Sequence, residues 1–442
     1  MKQTYTIHET GCHCGKAHKA NVKDTVICKG AISELPALVH KYGATRAFLI
    51  ADVNTYPIAG DKICSLLEEN GIPCSKHVFP DKRLIPNERT VGSLMLHFDN
   101  KADIVIAIGS GVINDTSKIL AAIAKVPYII VASAAYMDGY AAGTSSMEVD
   151  GVKATVQSKS PDAIVGDIDI LNGAPVHMAK AGLGDMLAKY VSICEWRLSH
   201  LINGEYYCED VAEFTRATLR NCVSNAGGLL KKDENTMKAL FQGLVDCGTA
   251  MDYAGCSRPG GGMEHYFSHL WDMRGIEFGT PTASHGTQVT IGTLYTIKLF
   301  HALKKITPNK EKALAYVRSF DFADWSEKLT AFVGKGAETM IKLEAKERKY
   351  DLEKHSRRLD VILDKWDEIL QIIDEEIPSM ETFEGILNAI EAPKSIEEIG
   401  LDKSVLPMTF MATKDIRDKY ILSKLAWDLG VLEELADTLV QD

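Results

Sequence analysis

Three apolar runs constrain the fold most: Ala47-Phe-Leu-Ile-Ala51 ending at Asp52, Ile104-Val-Ile-Ala-Ile108 ending at Gly109, and Tyr128-Ile-Ile-Val-Ala132 ending at Ser133. Each is β-branched and unalternated, as in strands covered on both faces, and stretches of helical length separate them. Residues from about 24 to 170 therefore predict a parallel α/β layer. After about residue 172 such runs stop and helical spacing takes over. Leu352, Leu359, Ile362, Trp366, Ile369 and Ile373 read as a core-facing stripe. The expected architecture is an α/β domain over 1–170 followed by an all-α domain over 171–442.

With 442 residues, 46% hydrophobic and 25% charged, the chain has material for two cores. Its net charge of −11, with no Lys/Arg-rich run, argues against tracking a phosphate backbone, so no nucleic-acid partner is expected. Small-molecule chemistry is left by elimination. The opening MKQTYTIHETGCHCGKAHKA has no apolar leader core, and no segment reaches the roughly 18 apolar residues of a membrane span. A cytoplasmic protein without membrane insertion is expected. Ten scattered cysteines read as mostly buried thiols of a reducing compartment. Within Gly11-Cys12-His13-Cys14-Gly15-Lys16-Ala17-His18 the donors resemble half a zinc knuckle. No second pair of matching spacing follows nearby, so the expectation is a β-turn displaying thiols near the first strand.

The segment Ile104–Ile119 reads strand, glycine turn, helix. That arrangement lets backbone N–H groups and a helix N-terminus meet a pyrophosphate, and it makes Gly109, Ser110, Gly111, Val112, Ile113, Asn114 and Asp115 candidates for dinucleotide binding. The spacing departs from G-x-G-x-x-G, because Asn114 stands at the third glycine. A tight turn without a ligand also fits the segment taken alone. Asp52, at the end of an earlier run, is the clearest acidic candidate for a ribose and would favour NADH over NADPH by repelling a 2′-phosphate. The loop Ser133-Ala134-Ala135-Tyr136-Met-Asp138-Gly follows the next strand and belongs at the same carboxyl edge, where Asp138 serves either as a turn residue or as a substrate contact.

In the later half, Gly182-Leu-Gly-Asp185-Met-Leu-Ala-Lys189-Tyr, Glu264-His265-Tyr-Phe-Ser-His269 and Ser284-His285-Gly-Thr-Gln288 carry donors. One carboxylate and two imidazoles make a three-ligand set with room for water or substrate. Singly, Asp185 also reads as a helix cap and each histidine as a hydrogen-bonded core group.

Together these segments resemble the superfamily of metal-dependent polyol dehydrogenases, iron-type alcohol dehydrogenases and dehydroquinate synthases. Within it the chain is most similar to the sn-glycerol-1-phosphate dehydrogenases, in particular their arabinose-operon-associated bacterial branch. The motifs that carry the likeness are the turn at 109–118, the Asp138-Gly loop, Gly182–Tyr190, Ser257–His269, His285-Gly-x-Gln-Val and the final Ile416-Arg-Asp-Lys-Tyr. The resemblance implies a dehydroquinate synthase-like architecture and a cytoplasmic homodimer. It further implies reduction of dihydroxyacetone phosphate to sn-glycerol 1-phosphate with NADH or NADPH and one divalent ion, zinc or nickel.

Asp185, His265 and His285 would hold that ion. His269 would face the substrate as proton donor, and Asp138 would contact its hydroxyls, so that substrate touches Asp138, Asp185 and His269. The backbone from Gly109 to Asp115 and the loop Ser133–Tyr136 would hold the dinucleotide. Ala142 stands where the family often has Ser, which weakens one nicotinamide-side contact. Lys189 replaces a fourth ligand His of iron-type alcohol dehydrogenases and either stabilises a phosphate or a developing alkoxide by its charge or merely pairs with the Asp185 carboxylate. Arg258 and Lys159 are further candidates for the phosphate. The alternatives are a related polyol dehydrogenase such as glycerol dehydrogenase, a carbocycle-forming synthase of the dehydroquinate type, or a sensor that binds nucleotide without turnover.

Overall fold

The computed structural model describes residues 11–150 and 152–441. The first ten residues, on which much of the leader-peptide reading rests, lie outside that range. The chain forms two compact units: one of residues up to Met186 together with Glu213–Cys256, the other of Leu187–Ala212 together with Ser257 onward.

The first unit is built on a six-stranded sheet in the order β1-β8-β5-β4-β2-β3. The strands are β1 (Asp24–Cys28), β2 (Ala47–Asp52), β3 (Cys74–Phe79), β4 (Ile104–Gly109), β5 (Tyr128–Ala132) and β8 (Ala163–Asp167), and every pairing is parallel. β4, β5 and β8 are buried along their whole length, and β2 along all but Asp52. This is why their sequences carry no polar alternation. Helices α1 (Leu35–Lys41), α2 (Tyr56–Glu69), α3 (Glu88–His97) and α4 (Gly111–Ala124) make the early crossovers. Between β5 and β8, however, the chain forms an antiparallel hairpin, β6 (Thr144–Val149) with β7 (Val152–Gln157). Its Thr144-Ser-Ser-Met-Glu-Val run is too polar to announce itself as a covered strand.

β3 lies outward of β2 on one side, and β5 lies outward of β4 on the other. The connections therefore diverge between β2 and β4, the topological switch point at which open α/β sheets leave a crevice. After β8 come α5 (Ile168–Gly173) and α6 (Val176–Leu187). Further along the chain are α7 (Lys189–Asn203), α8 (Glu209–Asn225) and α9 (Glu234–Ala254). Residues 213–256, the greater part of α8 and all of α9, group with the sheet. Hydrophobic spacing identifies a helix but not the surface it packs on.

The second unit is helical, with no strand among its described residues. It contains α7, α10 (Met263–Phe278), α11 (His285–Leu303) and shorter helices that run on to Leu432–Asp437. The stripe read over 352–373 falls on two helices, Leu352–Asp364 and Trp366–Glu376. Leu359, Ile362, Ile369 and Ile373 are buried in it, whereas Leu352 at the helix start is exposed. No helix among the described residues is long and apolar enough to cross a membrane.

Candidate active site

In the first unit the carboxyl ends of β2, β4 and β5 stand side by side and deliver three predicted segments to one edge. Ser110 precedes α4, whose first amides lie at the strand end, and Ser133 N donates to Gly109 O at 3.0 Å, tying the next loop to the turn. Asp52 Oδ1 accepts from the backbone N–H groups of Asn54 and Thr55, both at 2.8 Å, which fixes its carboxylate at the end of β2. Gly109, Ser110, Gly111, Val112, Ile113, Asn114, Asp115, Ser133, Ala134, Ala135 and Tyr136 thus share the edge that Asp52 borders.

Two side chains hold this edge from below. Asn114, fully buried, accepts from Tyr128 Oη at 2.9 Å. Lys118 has no exposed surface and donates to the carbonyls of Gly139, Ala142 and Thr144 while pairing with Asp115 at 3.0 Å. Burial pushes the Asp115 carboxyl above its ordinary range, and Lys118 opposes that push. Ala142 therefore enters through its carbonyl. Lys118 closes the 109–118 segment but carries no role predicted from sequence. A lysine two helical turns into a nucleotide-type helix is the available signal.

The same unit places Asp138 beside Asp185. Asp138 N donates to Asp185 Oδ2 at 2.9 Å, and Asp138 Oδ2 accepts from Cys247 Sγ at 3.2 Å. The approach depends on Gly182, one turn earlier on α6, where a Cβ would lie 2.2 Å from Ala135 O. Only glycine lets this helix run against that loop. Asp185 is buried on α6. Lys159 is drawn into an ion pair with Asp162 at 2.7 Å, so its charge is already matched.

In the second unit His265 and His285 come together with ring centroids 5.2 Å apart, and His269 stacks on His285 at 6.2 Å. α10 and α11 approach closely because Gly292 faces α10, where a Cβ would lie 2.5 Å from Glu264 O. Hydrogen bonds orient both rings. His265 Nδ1 donates to Glu264 Oε1 at 2.9 Å, and Glu264 Oε1 also accepts from Gly262 N. The Ser268 hydroxyl donates to Gln288 Oε1 at 2.7 Å, so it accepts from His285 Nδ1 at 3.1 Å. Each ring thereby keeps its proton on Nδ1 and offers Nε2, the state a ligating histidine needs.

Glu195 and Glu264 are buried acids that the sequence reading did not single out as part of this arrangement. Glu195 accepts from the N–H groups of Met263 and Leu422, bracing the start of α10, and burial followed by repulsion from Glu264 pushes its carboxyl up to about 8. Lys189 is buried and donates to Gly260 O at 2.6 Å. Arg258, 1% exposed, is paired with Glu205 and donates to Tyr420 O. Its charge is matched by a carboxylate and braces the 257–261 loop, whereas the sequence reading offered it to a phosphate.

The chain also has relatives among known proteins. The family described as iron-containing alcohol dehydrogenase matches residues 26–175. The glycerol-1-phosphate dehydrogenase [NAD(P)+] of Halalkalibacterium halodurans is 32% identical over 67% of this chain and 75% of its own. That of Bacillus licheniformis is 31% identical over 70% of this chain and 78% of its own. Among solved structures, glycerol dehydrogenase from Schizosaccharomyces pombe aligns over 96% of this chain and 92% of its own, with a TM-score of 0.62 and 18% identity. This last likeness is one of fold.

Proposed function

Because the chain belongs to the glycerol-1-phosphate dehydrogenase family of metal-dependent, NAD(P)-linked oxidoreductases, we propose that it reduces dihydroxyacetone phosphate to sn-glycerol 1-phosphate. Residues 1–170 bind the dinucleotide in this reading, and 171–442 bind the metal ion and the substrate. The observation that carries it is the pair of imidazoles on α10 and α11, both with Nδ1–H tied to oxygen so that the lone pair lies on Nε2.

Asp185, His265 and His285 each offer one donor, and together they are the residues that would hold the ion. An oxygen and two imidazole nitrogens suit zinc or nickel and leave a position for substrate. When bound, the ion supplies Lewis-acid polarisation of the substrate carbonyl. His269 delivers a proton to the carbonyl oxygen as it gains charge, the general-acid task most often given to an imidazole. Asp138 accepts a hydrogen bond from a substrate hydroxyl, and Lys189 adds positive charge near the developing alkoxide. Asp52 sits at the ribose and biases the site toward NADH. The reading is of a cytoplasmic homodimer, and sedimentation checks the dimer.

The test is NADH oxidation with dihydroxyacetone phosphate, on protein stripped by chelator and then reloaded with zinc or nickel. Turnover restored by the ion supports the reading. A reloaded protein inactive toward dihydroxyacetone phosphate but active toward glycerol and NAD would replace it with a polyol dehydrogenase.

A further inference from the structure

The N-terminal Cys12-His-Cys14-Gly15 does form a turn, closed by Gly15 N donating to Cys12 O at 2.9 Å with Gly15 at φ +79°. It displays its thiols only in part, for Cys12 is 6% exposed and Cys14 is half-buried. His18, 1% exposed, turns back to the same place, with its Nε2 3.3 Å from Cys14 Sγ. Zinc bonds of about 2.3 Å to sulfur and about 2.05 Å to nitrogen, at a tetrahedral angle, give an S···N edge of about 3.6 Å. The observed separation is thus close to one edge of a metal tetrahedron. His18 Nδ1 meanwhile donates to Tyr253 O at 2.7 Å. That bond fixes the tautomer and leaves Nε2 as the ligand nitrogen, the outer-shell arrangement typical of a metal-bound histidine.

We propose that Cys12, Cys14 and His18 hold one Zn²⁺, separate from the catalytic ion. Each contributes one donor atom, two Sγ and one imidazole nitrogen. Binding releases the two thiol protons to solvent and leaves a neutral imidazole and two thiolates around the ion. Its effect in the first unit is to pin residues 11–21 across the end of α9, where Asn21 N also donates to Asp252 Oδ2 at 3.0 Å.

The test counts tightly bound zinc in the full chain after mild chelation. In a His265→Ala/His285→Ala background, which removes the proposed catalytic ligands, one zinc per chain is expected to remain. Adding Cys12→Ser and Cys14→Ser is expected to bring the count to zero. A count unchanged by the cysteine substitutions overturns the proposal, as does a disulfide between any two of these cysteines in freshly purified reduced protein. Because the count is read against the histidine background, failure of this site and failure of the catalytic reading give different results. Should the quadruple variant not fold, cobalt(II) titration of the wild-type chain decides. Thiolate-to-cobalt charge-transfer absorption with tetrahedral visible bands supports the site, and their absence overturns it.

Discussion

At the carboxyl edge of the sheet the groups on offer are backbone amides, set by the ends of β4 and β5 and held from beneath by Lys118 and Asn114. On α10 and α11 they are ring nitrogens, and what holds them is hydrogen bonding to a carboxylate and a hydroxyl. The first region is precise because strands and a buried cation fix its backbone. The second is precise because each donor's proton has been assigned by a neighbour. Substitutions in the two regions should therefore fail differently, by loss of shape in one and by loss of protonation control in the other.

The largest effect is expected at a ligand. His265→Ala should remove bound metal and bring metal-dependent turnover to background, while NADH still quenches on the sheet edge. Loss of NADH binding as well would break the division between the regions. Lys118→Met comes next. It strips the partner from buried Asp115 and frees three carbonyls, at a cost of about 3–5 kcal/mol in a denaturant titration. It should raise KM for NADH while leaving metal content alone.

Glu195 gives the helical region a pH signature. Its carboxyl sits near 8 when folded and near the ordinary carboxylate range when unfolded, so between those values the native state carries a proton that the unfolded state lacks. Its contribution to stability is greatest below the unfolded value and declines as pH rises through that window. Glu195→Gln should be less stable outright, because its amide N–H₂ meets a backbone donor at one of two positions, yet should lose that decline. Urea midpoints at pH 5 and pH 8 check this, and an unchanged slope would contradict it. Ser268→Ala removes the hydroxyl that holds the tautomer of His285 and should weaken metal affinity by about 10–100-fold with the fold intact. The smallest effect belongs to Asp52→Asn, expected to move the NADPH-to-NADH preference by about tenfold, or about 1.4 kcal/mol.

The two regions also differed in how far the sequence disclosed them. β2, β4 and β5 were legible because double-sided burial leaves an unbroken apolar run. Edge strand β3, Cys74-Ser-Lys-His-Val-Phe, is only half covered and reads as nothing in particular. The hairpin β6–β7 is too polar to stand out. Glycine spacing disclosed the nucleotide edge, but the buried lysine beneath it took on a role only when β6 brought the Thr144 carbonyl over α4. For the helical region, donor chemistry and family likeness selected His265 and His285. The supports around them were hidden for a physical reason, since Glu195 reaches the start of α10 from a helix 68 residues away. Long-range hydrogen bonds leave no periodic trace. Likewise nothing in the texture of residues 213–256 says that they pack with the sheet.

One measurement bears most directly on the central claim: metal content and NADH oxidation with dihydroxyacetone phosphate, recorded side by side for wild-type, His265→Ala and His269→Ala protein. The account predicts that the wild-type chain has both. It predicts that His265→Ala loses the chelatable ion and the activity together. His269→Ala should keep the ion and lose most of the turnover, with the loss concentrated in kcat. Loss of metal from both variants would make His269 a ligand, and full activity in His265→Ala would contradict the claim that metal held by these helices drives the reduction.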